Sequence, residues 1–103
     1  MVLLEFSIAP SDKGESLGEF VAEALDIVDN SGVPYRVNPM GTVLEGEWDE
    51  VMNVVKACYE QMRTRSRRIG ITMKIDARQG ARGRLDGKIK RLESVLGREL
   101  KKS

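Results

Sequence analysis

Residues 2–9 alternate along the chain, with Val2, Leu4, Phe6 and Ile8 pointing one way and Leu3, Glu5 and Ser7 the other. A period of two predicts a strand with one buried face. Residues 10–14 are rich in turn formers, and Ser16 followed by Glu19 has the spacing of a capping box, which predicts a helix beginning at Ser16. Its apolar stripe is Leu17, Phe20, Val21, Ala24, Ile27 and Val28, and Asn30, Ser31 and Gly32 end it. Residues 33–38 read as a short strand at a sheet edge, because Pro34 has no amide to give to a ladder. Pro39, Met40 and Gly41 make a tight connection to a return strand over residues 42–47. A second helix opens on Glu47, Trp48 and Asp49, where the helix dipole favours acidic groups. Its stripe is Val51, Val54, Val55, Cys58 and Met62.

Residues 67–78 alternate again, Ile69, Ile71, Met73 and Ile75 against Gly70, Thr72, Lys74 and Asp76. After a glycine-containing linker over residues 79–84, Leu85, Ile89, Leu92, Leu96 and Leu100 recur at helical spacing and predict a third helix over residues 85–100. The order of elements is that of an α+β, ferredoxin-like βαββαβ fold with one added C-terminal helix. Right-handed crossovers then dictate an antiparallel sheet of order 4-1-3-2 with both main helices on one face. The other face is expected to be open, carrying Leu3, Glu5 and Ser7 beside Thr72 and Lys74, and to need a cover. At 103 residues the whole chain, residues 1–103, is expected to form a single domain.

Composition narrows the chemistry. With 41% hydrophobic and 32% charged residues and no apolar run near the ~20 residues of a membrane span, no membrane role is expected. The opening segment carries Glu5 inside its apolar run and has no basic leader, so it does not read as a signal peptide. Cys58 is the single cysteine; it fits a reducing cytoplasm and, lying on an apolar helical stripe, a core position. The absence of histidine removes the commonest general base, the commonest zinc ligand and every Ser-His or Cys-His dyad. No catalytic residue, metal or cofactor is therefore expected, and the chain does not read as an enzyme.

Charge is unevenly placed: residues 1–62 hold three basic and twelve acidic side chains, residues 63–103 fourteen and four. Two readings follow. A basic second half, opening with Arg63, Arg65, Arg67 and Arg68, would suit an anion or nucleic acid. Alternatively, neighbouring elements, or neighbouring subunits, neutralise each other; the small net charge of +1 favours this over a nucleic-acid partner.

In the expected sheet the end of the first strand lies near the start of the third. Ser7 then approaches Thr42, with Asn38 across the hairpin and the backbone of Met40 and Gly41 alongside. These donors and acceptors would hold a small polar heterocycle, or would simply satisfy turn amides. The facing of Glu45 stays open, since strict alternation would set it opposite Thr42.

The segment YRVNPMGTVLEG, together with the opening LLEFSIAP and the later ITMKIDAR, resembles the small thiamine-binding proteins, with PMGT followed by EG its most specific part. The resemblance spans residues 1–78. It implies a homodimer or homotetramer, built as a dimer of dimers with sheets packed together, that binds thiamine or its pyrimidine portion without catalysis. Carried over by residue, it implies Ser7, Asn38, Met40, Gly41, Thr42 and Glu45 as pocket candidates, at the open sheet face near a subunit interface. Thiamine would be a bound ligand rather than a cofactor. Hydroxyls and an amide suit the ring nitrogens and amine of an aminopyrimidine, and a carboxylate such as Glu45 or Glu5 suits the amine or the thiazolium charge. Stacking aromatics are scarce, with Phe6, Tyr35 and Trp48 the candidates.

Three rivals remain at this level. An RNA-binding module shares the element order and would use the basic C-terminal region, but needs aromatics on the first and third strands, where Leu3, Glu5, Ser7, Thr42 and Leu44 are expected outward. A phosphate-hydrolysing enzyme would use Arg36 and Asn38, without a convincing glycine-rich anion cradle. A ligand-free structural assembly protein is the third.

Overall fold

A computed structural model of the chain describes residues 1–14, 17–80 and 83–101. The elements are β1 (Val2–Pro10), α1 (Gly18–Asn30), β2 (Tyr35–Asn38), β3 (Gly41–Gly46), α2 (Trp48–Met62), β4 (Ile69–Ala77) and α3 (Arg84–Leu96). The four strands form one antiparallel sheet of order β2-β3-β1-β4, which is the expected order read from the other edge. Among the described residues no helix is long and apolar enough to cross a membrane.

The core lies between one face of the sheet and the helices α1 and α2. Val2, Leu4, Phe6 and Ile8 of β1 are all buried, as alternation demands. They meet Ala24 and Val28 of α1 and the stripe Val51, Val54, Val55, Cys58 and Met62 of α2, every member of which is buried. Cys58 takes the core role its stripe predicts: its thiol donates to the Ala24 carbonyl at 3.5 Å, and burial pushes its pKa up to about 11. The start of α2 is secured by Glu50, whose carboxylate accepts the Glu47 amide at 2.9 Å.

Several boundaries shift for identifiable reasons. Ser16, the expected cap of the first helix, lies outside the described residues; α1 runs from Gly18 with no side-chain cap. Pro34 falls outside β2, and its carbonyl accepts the Glu45 amide at 3.0 Å, so the proline contributes the one backbone bond still open to it. The third helix ends at Leu96 rather than at residue 100, because Gly97 adopts a left-handed conformation, φ 72°, and returns its amide to the Glu93 carbonyl at 2.8 Å.

The apolar row of β4 is less covered than its pattern implies. Ile69 and Ile75 are half-buried, but Ile71 and Met73 are 38% and 42% exposed. The strand sits at the edge, and α2 packs chiefly on its neighbour β1, so two helices do not span all four strands.

Between the two halves of the chain the opposite charges do meet. Arg65, in the turn after α2, reaches Glu23 of α1 at 2.7 Å and stands over the Phe20 ring at 4.4 Å. Asp12, in the loop after β1, accepts the Ser66 hydroxyl at 2.6 Å and the Arg67 amide at 3.1 Å, which hold its carboxyl below the usual range.

Candidate functional site

The two neighbours of β1 differ in length. β4 pairs with it from Val2 opposite Ala77 to Pro10 opposite Ile69, whereas β3 accompanies it only as far as Phe6 opposite Thr42. Beyond Phe6, β1 runs on with no strand on its β3 side. The notch left there is closed by α1 along one flank and by the β2–β3 turn along the other, and it encloses about 280 Å³. That is just under the ~300 to 1,000 Å³ usual for small-molecule sites, and enough for a single substituted ring.

Its walls are mostly apolar: Phe6 and Ile8 from β1, Val21, Ala24 and Leu25 from α1, and Val37 from β2. The polar lining comes from Ser7, Asn38 and Thr42 with the backbone of the turn. Asn38 folds back on its own turn, its side-chain oxygen accepting the Met40 amide at 2.8 Å, and Met40 stands 84% exposed at the tip. Gly41 fits because it has no side chain; a Cβ there would lie 2.8 Å from the Phe6 carbonyl oxygen. Thr42 is 5% exposed, yet among the described residues its hydroxyl has no hydrogen-bond partner. A polar group in that position is available to a ligand.

Five of the six expected residues, Ser7, Asn38, Met40, Gly41 and Thr42, thus line one cleft. The sixth, Glu45, does not. It shares the opposite face of the sheet with Leu3 and is 6% exposed, accepting the Arg84 amide at 2.6 Å beneath the start of α3. The expected facing of β3 is also corrected. Thr42 and Leu44, opposite Phe6 and Leu4, point to the helices; Gly41, Val43 and Glu45 point away. Ser7 and Thr42 therefore belong to opposite faces and approach the cleft from its two sides. Glu45 does lie opposite in facing to Thr42, as alternation demands.

The open face is likewise only half open. Leu85 and Ile89 of α3 lie over Leu3 and Val43, with Arg84 and Lys88 beside them. Arg84, 7% exposed, is paired with Asp76 and donates to the Asp76 carbonyl at 3.0 Å; the ammonium of Lys88 at 2.8 Å, more than the Arg84 guanidinium, holds the Asp76 carboxyl below its usual range. Arg36 pairs with Asp86 of α3, and Asn38 is committed to its turn, so the two residues expected for a phosphate-hydrolysing site are both engaged elsewhere. No aromatic side chain stands at the outward positions of β1 or β3. Of the expected stacking candidates only Phe6 reaches the cleft; the Tyr35 hydroxyl donates to Asp29 at 2.7 Å, and Trp48 begins α2.

Sequence reasoning missed Val21 and Val37 as walls of a site, taking Val21 as core; both are 40% exposed. The available signal was the mismatch between the expected eight-residue first strand and six-residue third strand, which leaves an unmatched strand end.

The fold and cleft together define a small α+β module with a cleft of ring size between its sheet and first helix. Comparison with known proteins makes this specific: the family model described as "Thiamine-binding protein" matches residues 4–93, and the chain belongs to that family. A UPF0045 protein of Mycobacterium bovis, Mb1933, is 39% identical over 96 residues, covering 92% of this chain and 94% of the relative. The crystal structure of hypothetical protein MJ1052 from Methanocaldococcus jannaschii superposes with a TM-score of 0.76 at 30% identity, covering 93% of this chain and 95% of that one. A putative thiamine biosynthesis/salvage protein, TM0486 from Thermotoga maritima, superposes with a TM-score of 0.77 at 24% identity, covering 88% and 97%, and shares the fold.

Proposed function

We propose that this protein binds thiamine or a related aminopyrimidine without catalysing a reaction on it, in the notch between β1, α1 and the β2–β3 turn. The observation that carries this reading is the unpartnered hydroxyl of Thr42, a residue only 5% exposed, in a mostly apolar cleft of ring size, in a member of a thiamine-binding family. An apolar hollow supplies the area term, and a few placed polar groups fix orientation. The earlier expectation of a ligand on the open face moves to the helix side, where the cleft lies. The protein is read as a cytoplasmic homodimer or homotetramer. Exposed Leu92, Val95 and Leu96 on α3, and Ile71 and Met73 on edge strand β4, are the apolar surface a second copy would cover.

Isothermal titration with thiamine and with 4-amino-5-hydroxymethyl-2-methylpyrimidine tests the reading. Saturable heat is expected, with a rise in melting temperature, since a ligand at a hundred times its Kd stabilises the folded state by about 2.7 kcal/mol. Thr42→Val keeps the shape and removes the hydroxyl, so affinity should fall about tenfold, near the ~1 kcal/mol of a hydrogen bond. No heat and no thermal shift at millimolar ligand would overturn the proposal. Sedimentation equilibrium giving a monomer at micromolar concentration would remove its oligomeric part.

A further inference from the structure

In an antiparallel ladder a residue directs its N–H and C=O to the same neighbour, and successive residues alternate between neighbours. The ends of β1 show which residues face which side. Ser11 donates to the Arg68 carbonyl at 2.7 Å and Met1 accepts the Arg78 amide at 3.1 Å, so odd-numbered residues turn their backbone to β4. Even-numbered residues therefore turn theirs to β3, and the approach of the Gly41 Cβ position to within 2.8 Å of the Phe6 oxygen agrees. Ile8 comes next on that side, past the end of β3, and lines the cleft. Pro10 follows and has no N–H to leave unpaired. Among the residues of β1, Ile8 alone thus presents a backbone donor and acceptor side by side to the notch.

We propose that the Ile8 main chain is the element that reads the ligand: its N–H donates to a ring nitrogen and its C=O accepts from an amine on the adjacent ring carbon. This adds a ring to the sheet where a strand is missing, and it rests on the binding function proposed above. The ligand class that satisfies both groups is a planar six-membered nitrogen heterocycle with an amine beside a ring nitrogen, the aminopyrimidine pattern. Phe6 and Val21 supply apolar contact to the ring, and Thr42 a further hydrogen bond from the β3 side. Leaving such backbone groups unpaired in a partly dry cleft is unfavourable, so a ligand lacking either partner is discriminated against.

The test is an amide-resolved NMR titration of the full chain with 4-amino-5-hydroxymethyl-2-methylpyrimidine, alongside calorimetry with that probe and with its analogue carrying methyl in place of the amine. The expected result is a downfield shift and slowed exchange of the Ile8 amide proton at saturation, with at least about tenfold weaker binding of the methyl analogue. If the amine probe binds but the Ile8 amide does not move, or the methyl analogue binds equally well, the inference is overturned while the binding function stands. If the amine probe gives no heat and no thermal shift the inference falls, and if thiamine gives none either the binding function falls with it.

Discussion

The carboxylate of Glu45, on the face of the sheet turned away from α1 and α2, accepts the backbone amide of Arg84 at 2.6 Å and so anchors the first turn of α3. A negative group at a helix N-terminus meets both an orphan amide and the positive end of the dipole. Nearly buried, this bond ties the C-terminal helix to β3. Glu45→Ala should lower stability by about 1 to 3 kcal/mol, as expected when a buried donor loses its acceptor. A drop in the urea midpoint together with faster amide exchange in Leu85 and Ile89 checks it; unchanged exchange would show that apolar contacts alone hold α3.

Gly41 and Gly87 should respond to alanine in opposite directions. At position 41 the added Cβ would lie 2.8 Å from the Phe6 carbonyl oxygen, so β1 and β3 must separate, at a cost of about 1 to 3 kcal/mol and with weaker ligand binding. At Gly87, inside α3, nothing lies within 4 Å of the added atom, and alanine should stabilise by about 0.5 to 1 kcal/mol. Thermal melts of the two variants decide the signs.

Cys58 should be inert in the folded protein. With its pKa pushed up to about 11 by burial, little thiolate exists at pH 8, and the side chain is 1% exposed. A thiol reagent at pH 8 should leave native protein unmodified over hours and label it fully in denaturant. Rapid labelling of the native state would contradict the packing of α2 on α1.

Acid should unfold the protein partly through Asp12. Hydrogen bonds from Ser66 and the Arg67 amide hold its folded pKa below the usual 3.8, so its contribution is complete above that value and is lost as pH falls through the lowered one. Chemical denaturation from pH 6 to pH 2 should therefore show a shallower acid loss in Asp12→Asn than in the parent chain. Equal slopes would assign the acid sensitivity to other groups, Asp76 among them, whose pKa is lowered by Lys88 and Arg84.

Local pattern carried most of the architecture. The alternation of Val2, Leu4, Phe6 and Ile8, and the stripe from Val51 to Met62, each have one periodicity that buries all their apolar members, and both are buried as expected. The short turn at Pro39, Met40 and Gly41 left only an antiparallel return. The site was legible as a neighbourhood: the hairpin brings Asn38, Met40, Gly41 and Thr42 together because they are adjacent in sequence, and Ser7 joins them through the pairing of β1 with β3.

Facing and cover were decided elsewhere. Whether Thr42 or Glu45 points to the helices depends on which β3 residue meets Phe6, and a shift of one residue reverses every side chain. Glu45 became a helix anchor only because α3 folds back over β3, where Leu85 and Ile89 line a shallow cleft together with Leu3 and Val43. Periodicity fixes how a segment coils and which of its own residues share a side. The choice of what lies against that side is made by contacts between residues far apart in the chain, and those include the unmatched end of β1 beside which the candidate cleft lies.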